Sequence, residues 1–372
     1  MAKLLRRLCC LVLVFLLCVS FTQVTAAASI QESQWAYKKS HTIVGSTAGA
    51  LTNYQMRFFV HYGSGTDTGA DVYCDSKCRT DFDDIRFTDS TGNLLDYWIE
   101  SKTDGDEAIF WVEINNIAAS PSTTTIWMFL DNPGASSESN GETTFLLFDD
   151  FIGSSLDLTK WDVMRDGSYS VSSGILTMPG NDEVLLWTDS KYSTGVAIVF
   201  SLLCESNGYQ GEIGMADQDP PTNLISITGY TEPPPEFTVY AEDEGGSDYT
   251  SGHTWDSAWN SNYHDYQMIW LVDTSFHVYQ DNLLEETMTS YIPDSSPALF
   301  VFVYTDGLGS SSQDMFYDWI FVRKYVDPEP SHGEWGALKP TEATGGMCLG
   351  TITVVAIIGV VAVAKAIHWK LE

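Results

Sequence analysis

The chain is short of basic residues: 18 Lys and Arg stand against 50 Asp and Glu among 372 residues, a formal net charge of −32. Such a surface repels nucleic-acid phosphates and anionic lipid, so no nucleic-acid partner is expected. The sequence also lacks a Gly-x-Ser-x-Gly elbow, a phosphate-binding glycine loop and histidines at metal-ligand spacing. These absences disfavour a protease, a nucleotide-dependent enzyme and a zinc enzyme.

Helical periodicity is nearly absent, whereas aromatic residues make up 13% of the chain. Short runs of alternating apolar and polar residues, such as 54–60 and 108–114, are bounded by Gly, Asp, Asn, Ser or Pro. This pattern is typical of antiparallel β-sandwiches. We therefore expect an all-β protein with two β-sandwich (jelly-roll-like) domains in tandem, at residues 27–147 and 148–326.

The N-terminus has the pattern of a secretory signal peptide. Lys3, Arg6 and Arg7 precede an apolar run over residues 8–21, and small residues precede a cleavage point after Ala26. We assign residues 1–26 to this signal; an uncleaved anchor helix is the alternative, disfavoured because the apolar run is short for a membrane span.

Near the other end, residues 345–364 carry no charge, and a helix of that length would cover about 30 Å, one hydrocarbon thickness. Lys365, His368 and Lys370 follow, so the positive-inside rule places a tail of residues 365–372 in the cytoplasm. The expected localisation is the cell membrane, with one C-terminal transmembrane helix and extracellular domains. A buried core helix and a removable sorting signal are the alternatives.

The proline-containing segment between the second domain and this helix, residues 327–344, is expected to be a short stem. Three cysteines, Cys74, Cys78 and Cys204, lie outside the signal and the predicted helix. In an oxidising compartment Cys74 and Cys78 could close a small disulfide loop. Metal binding is the weaker alternative, because no histidine is near.

The first domain resembles the DUF2341 family, a domain of unknown function that is frequent in archaeal and bacterial surface proteins. The resemblance covers most of residues 34–146, and its most specific string is TDFDDIRFTD at 80–89. The other matching strings are WAYKK at 35–39, NYQ at 53–55, YWIE at 97–100, FWVE at 110–113 and DNP at 131–133.

The second domain resembles concanavalin A-like lectin, glucanase and laminin-G sandwiches, which often follow that family. The matching pieces are FDDF at 148–151, LDLTKW at 156–161, GIL at 174–176, the strand pair 263–270 and 276–285, and YDWIFVR at 317–323. The resemblance implies calcium as a candidate cofactor, with Asp149 or Asp150 and Asp318 as ligands. No other cofactor is expected, and two carboxylates are few for calcium.

A retaining glucanase needs two carboxyl groups about 5–5.5 Å apart, which on one strand means alternate positions of one face. The Glu-x-Asp-x-Glu string that usually supplies them is absent. Glu242 and Glu244 are the nearest substitute, but Gly245 and Gly246 follow at once, so a solvated hairpin tip is the simpler interpretation. Catalysis is therefore the less favoured hypothesis.

Sugar binding needs aromatic platforms and polar groups in one place. Residues 249–266 combine both, and the candidate ligand-binding residues there are Trp255, Asp256, Trp259, Asn260 and Tyr263. Ordinary packing explains these aromatics too. The favoured function is a membrane-anchored surface binding or adhesion protein whose partner is a polysaccharide or glycoconjugate. The alternatives are a self-associating cell-envelope or coat component, and a glycoside hydrolase or lyase.

Overall fold

The structure is a computed structural model of the chain. It describes residues 28–204, 211–230, 236–254, 262–271, 275–294, 296, 298–308 and 314–341. The predicted signal peptide, the predicted membrane helix and the cytoplasmic tail lie outside these residues. Within them, no helix is both long and apolar enough to cross a bilayer.

The first domain begins with a 3₁₀ turn at Glu32–Gln34 and continues in eight strands. These are β1 (Tyr37–Val44), β2 (Leu51–His61), β3 (Asp71–Tyr73), β4 (Arg86–Asp89), β5 (Leu94–Leu95), β6 (Tyr97–Thr103), β7 (Glu107–Ile117) and β8 (Thr123–Leu130). A one-turn helix, α1 (Gly141–Thr144), leads out of the domain, and the Asn140 side chain caps it by accepting from the Glu142 amide.

The second domain contributes fifteen strands in the described part of the chain. They are β9 (Leu147–Asp149), β10 (Trp161–Arg165), β11 (Ser170–Ser172), β12 (Ile175–Met178), β13 (Glu183–Tyr192), β14 (Val196–Cys204), β15 (Gly211–Ala216), β16 (Leu224–Tyr230), β17 (Glu236–Asp243), β18 (Gly246–Thr254), β19 (His264–Trp270), β20 (Phe276–Gln280), β21 (Leu283–Met288), β22 (Leu299–Asp306) and β23 (Met315–Lys324). Two further strands, β24 (Ser331–Trp335) and β25 (Lys339–Pro340), follow it.

Four sheets form the two sandwiches. Sheet 1 has the order β24-β1-β8-β4-β5, with β25 also on β1, and sheet 2 has the order β3-β2-β7-β6. Sheet 3 runs β10-β13-β22-β15-β16-β17-β18, and sheet 4 runs β11-β12-β23-β14-β19-β20-β21, with β9 on β23. The all-β expectation is confirmed, and both domains are packed pairs of mainly antiparallel sheets.

Alternation of side chains explains why these segments form strands. Along β20 every second residue is buried, and the chain then turns at Asp281 and Asn282, whose φ angles are 49° and 65°. Asp and Asn tolerate this left-handed backbone, so the chain forms a hairpin here in which β20 pairs with β21. The inner faces of sheets 3 and 4 enclose one apolar core that includes Trp161, Phe200 and Trp270.

The segment expected to be a stem forms strands in the structure. Antiparallel pairing places β24 and β25 on β1, with His41 opposite Trp335 and Lys38 opposite Lys339. Residues 331–340 therefore complete sheet 1 of the first domain after the chain has passed through the second, and the stem expectation is corrected for this part. The segment can pair because β1 has an open edge on that side.

A third apolar cluster joins the two domains. Trp98 and Trp111 of sheet 2 face Trp319 and Phe321 of sheet 4, and Phe145, from the linker after α1, stacks on Phe321 with ring centroids 4.0 Å apart. Burial of large aromatic rings contributes strongly to stability. The outer face of sheet 4 is therefore covered by the first domain, while sheet 3 lies on the far side of the second.

Candidate functional site

The sugar-binding residues predicted from the sequence fall mostly outside the described residues. Trp255, Asp256, Trp259 and Asn260 belong to this group, so that prediction stays untested. Tyr263 is described and is 39% exposed. Burial and the nearby charge of Asp318 raise the pKa of its phenol.

The proposed calcium pair is brought close enough to interact. Burial raises the pKa of Asp318, and the charges of Asp265 and Asp150 raise it further. Asp149 has a structural role instead, since it accepts from the Trp161 indole at 2.8 Å and from the Phe151 amide at 2.9 Å. Across the described ranges, no three or more His, Cys, Asp or Glu side chains form a metal-binding group. Calcium thus stays a prediction, without a ligand set beyond this pair.

Cys74 and Cys78 are separate buried thiols in the structure. A hydrogen bond between the two thiols, together with burial, raises the pKa of Cys74. The side chains are thus neighbours, as a disulfide would require, and the disulfide itself stays a prediction.

A groove on the outer face of sheet 3 was not foreseen from the sequence. It has a volume of about 270 Å³, and its apolar lining includes Leu185, Trp187, Leu224, Phe302 and Tyr304. The register explains this set, because Leu185 lies opposite Tyr304 and Trp187 opposite Phe302 on neighbouring strands. Aromatic side chains in such a row offer platforms on one face of the sheet.

One wall of the groove is the loop between β15 and β16. Asp217 holds this loop by accepting from the Thr222 amide at 2.9 Å and the Thr222 hydroxyl at 2.6 Å. Arg165 on β10 then binds Asp219 with both carboxylate oxygens at 2.8 Å and contacts Glu183 with its other terminal nitrogen. This fork geometry fixes the loop over the sheet edge.

The floor of the groove carries a single carboxyl group from the central strand β15. Glu212 lies opposite Tyr304 on one side and Thr228 on the other. Burial raises the pKa of Glu212, and the hydroxyls of Ser226 and Thr228 partly offset this. Two strands away on β13, Trp187 is 5% exposed, and its indole N–H has no hydrogen-bond partner among the described residues.

The next two positions of β15 on this face are Gly214 and Ala216, opposite Phe302 and Phe300. A Glu-x-Asp-x-Glu strand would place carboxylates at both positions, and β15 carries none there. Gly214 cannot easily regain one, because an added Cβ would lie 2.2 Å from the Ile225 carbonyl oxygen and 2.6 Å from the Ser226 Cβ.

Glu242 and Glu244, the carboxylates considered from the sequence for catalysis, do not supply a second carboxylate beside Glu212. Glu242 is the last but one residue of β17 and accepts from the Tyr240 hydroxyl at 2.9 Å, whereas Glu244 is exposed in the turn that joins β17 to β18. The simpler interpretation of a solvated hairpin tip therefore agrees with the structure. The signal that could have revealed the groove was Glu212 itself, on a strand of otherwise small and apolar residues.

Comparison with protein families gives one match. The DUF2341 family, described as a domain of unknown function, matches residues 81–164. This confirms the resemblance over the TDFDDIRFTD string and extends it into the first strands of the second domain. A search of curated protein sequences finds no match.

Solved structures give weak likenesses, each to about half of the chain. An endo-β-1,3-glucanase from Pyrococcus furiosus is 12% identical with a TM-score of 0.41, over 49% of this chain and 94% of that one. A β-1,3-glucanase from Mycobacterium marinum is 18% identical with a TM-score of 0.38, over 48% and 98%. The expected similarity to glucanases is thus found as a resemblance, and it carries no conclusion about activity.

Proposed function

We propose that this protein is a non-catalytic carbohydrate-binding protein of the cell surface, and that the groove on sheet 3 is its binding site. The observation that carries the proposal is the combination in one groove of an aromatic lining with one partly buried carboxyl group. Trp187, Phe302 and Tyr304 supply apolar faces, and Glu212 supplies a polar group on the floor. Ligand sites generally combine a mostly apolar lining with a few placed polar groups.

On the face of β15 that carries Glu212 there is no second carboxylate, and this supports binding over hydrolysis. Glycoside hydrolysis uses an acid and a base or nucleophile at a set separation. On β15 the positions after Glu212 are Gly214 and Ala216. The other carboxylate that lines the groove, Asp219, is bound to Arg165, as is Glu183 through the other terminal nitrogen of Arg165.

The decisive experiment measures polysaccharide binding by the full-length protein and by Trp187→Ala. We expect a loss of about tenfold or more in affinity, because the indole lines the groove. Trp127→Ala, which changes a partly buried tryptophan on sheet 1, is the matched control and should bind as the unaltered protein does. Trp255→Ala and Trp259→Ala test the site predicted from the sequence. Equal binding by Trp187→Ala and the parent protein would show that the groove on sheet 3 is not the binding site.

The cell-surface part of the proposal depends on the signal at residues 1–26 and the apolar segment 345–364. Deletion of residues 345–364 should release the protein from the membrane fraction into the soluble fraction, while the full-length protein stays with membranes after alkaline washing. Retention of the deleted protein on washed membranes would contradict this anchor.

A further inference from the structure

We infer that the glycan bound in the groove carries a free amino group, which seats as an ammonium ion against the Glu212 carboxylate. This inference rests on the proposed function and adds the chemical class of the ligand. It is carried by the distribution of charge around the groove, where Arg165 is already paired with two carboxylates and the Glu212 carboxyl group has no ion-pair partner among the described residues.

Two positively charged side chains, Arg165 and Lys191, lie near the groove. Arg165 uses one terminal nitrogen on Glu183 and the other on both oxygens of Asp219, and its guanidinium also lies 5.2 Å from the Tyr304 ring centroid. Lys191 sits over the Phe300 ring at 4.3 Å and donates to the Asp217 carbonyl at 3.2 Å. A carboxylated or sulfated sugar at Arg165 would have to compete with Glu183 and Asp219, so this part of the groove disfavours anionic glycans.

The carboxylates near the groove differ in whether a cation pairs with them. Glu183 and Asp219 both pair with Arg165, whose single positive charge is shared between them. Glu212 forms no ion pair with any described residue, although it lines the same groove as the aromatic side chains. An uncompensated carboxylate in such surroundings is costly, and an opposite charge within about 4–6 Å favours its ionised form. A ligand ammonium would supply that charge.

The aromatic lining suits the same ligand. The negative faces of aromatic rings attract cations. Tyr304 lies opposite Glu212 on the neighbouring strand, and Trp187 and Phe302 line the same groove. The chain as a whole has a net charge of −32, so its field also draws cationic ligands toward it. A neutral sugar would use the platforms but would leave the Glu212 charge unpaired.

The test compares two ligands that differ in one group: an oligosaccharide of β-linked glucosamine with free amines, and the same oligosaccharide fully N-acetylated. Calorimetry on the full-length protein should give at least tenfold tighter binding of the aminated form. This preference should weaken as salt is raised, because screening acts on the charge pair. An oligomer of glucuronate, measured alongside, should not bind.

Glu212→Gln keeps the shape of the side chain and removes the charge, so the preference should fall to threefold or less. Glu244→Gln makes the same change at the exposed hairpin tip and should leave it intact. Equal or tighter binding of the acetylated oligosaccharide would overturn the inference while leaving the proposed function standing. Absence of binding by any neutral, aminated or acidic glycan would overturn both. A preference retained in Glu212→Gln would place the amino group elsewhere and overturn the inference.

Discussion

The two sandwiches differ in what covers their outer faces. In the first domain, residues 28–35 cover part of sheet 1 through Ile30 and Trp35, and sheet 2 packs on sheet 4. Sheet 4 is thus covered on both faces, which explains why almost all of β14 is buried. On sheet 3 the outer face instead holds the aromatic groove. The comparison shows that the first domain covers one face of the second, whereas the groove for which we propose glycan binding lies on the opposite sheet.

The buried polar residues of the two domains also differ in what they contact. Asp84, inside the string that carries the family resemblance, accepts from the amides of Arg79, Asp131 and Asn132 at 2.9, 2.8 and 3.2 Å. Its neighbour Arg86 donates to the Ser136 carbonyl with one terminal nitrogen. The most recognisable residues of the first domain therefore hold a loop in place, whereas Glu212 of the second has no such task.

The largest effect is expected where the two domains are joined. Arg323 is 3% exposed and binds Glu329 at 2.6 Å and Gln267 at 3.1 Å. Although burial opposes it, the Arg323 guanidinium holds the pKa of Glu329 below its usual range. Arg323 is the buried partner, whereas the Glu329 side chain is 36% exposed. Arg323→Ala removes a buried guanidinium with several hydrogen bonds, so it should lower the free energy of unfolding by about 3 kcal/mol. Urea unfolding measures this.

Arg323→Ala would also test the supporting role of the first domain. If the domains then separate, limited proteolysis should release the second domain while glycan binding survives on it. A stability loss no greater than that of a surface arginine would contradict the assignment of Arg323 as the junction residue.

A smaller loss is expected within the first domain. Asp84→Asn keeps the size of the side chain but turns an amide N–H₂ toward backbone donors, so one or two buried N–H groups lose their acceptor. The expected cost is about 1–3 kcal/mol of unfolding free energy. Asp83→Asn, at a neighbouring but partly buried carboxylate, is the matched control. Equal losses in both variants would show that the three amide contacts to Asp84 contribute little.

Acid should weaken the first domain through a buried histidine pair. His41 and His332 join β1 to β24 with ring nitrogens 3.0 Å apart, and burial lowers their pKa values to about 3 and about 4. The unfolded chain takes up these protons near pH 6.5 and the folded protein does not, so stability present above pH 6.5 is lost as pH falls toward 4. The slope is up to about 1.4 kcal/mol per pH unit for each histidine.

His332→Gln removes one of these groups, so unfolding free energies measured at pH 7, 6 and 5 should fall less steeply than in the parent. His277→Gln, at a half-buried histidine of the second domain, is the comparison variant and should change the slope less. Parallel slopes for the parent protein and His332→Gln would show that the pair is not the acid-sensitive contact.

The sequence predicted the fold well where local patterns decide it. Alternation along β20 and the turn residues Asp281 and Asn282 specify a hairpin without reference to the rest of the chain. The return of β24 to β1 could not be predicted, because that pairing joins residues almost 300 positions apart and depends on an open sheet edge. The groove was missed for the same reason: Trp187, Glu212 and Phe302 come from three strands, and only the register brings them together.

The smallest stability effect is expected at the groove wall, where Arg165 can be compared with Arg323 of the domain junction. The Arg165 side chain is 34% exposed, so its pairs with Asp219 and Glu183 are screened by water, and Arg165→Ala should cost less than about 1 kcal/mol. Binding should respond more than stability does. Loss of the fork frees the loop that carries Asp219, and ordering it again on binding should weaken glycan affinity about three- to tenfold. Calorimetry and urea unfolding of the same variant separate the two effects. At the domain junction we expect the opposite, a large loss of stability and little change in glycan affinity, since Arg323 binds Glu329 and Gln267, which do not line the groove on sheet 3. An Arg165→Ala protein that lost stability but kept its glycan affinity would contradict the assignment of binding to the groove.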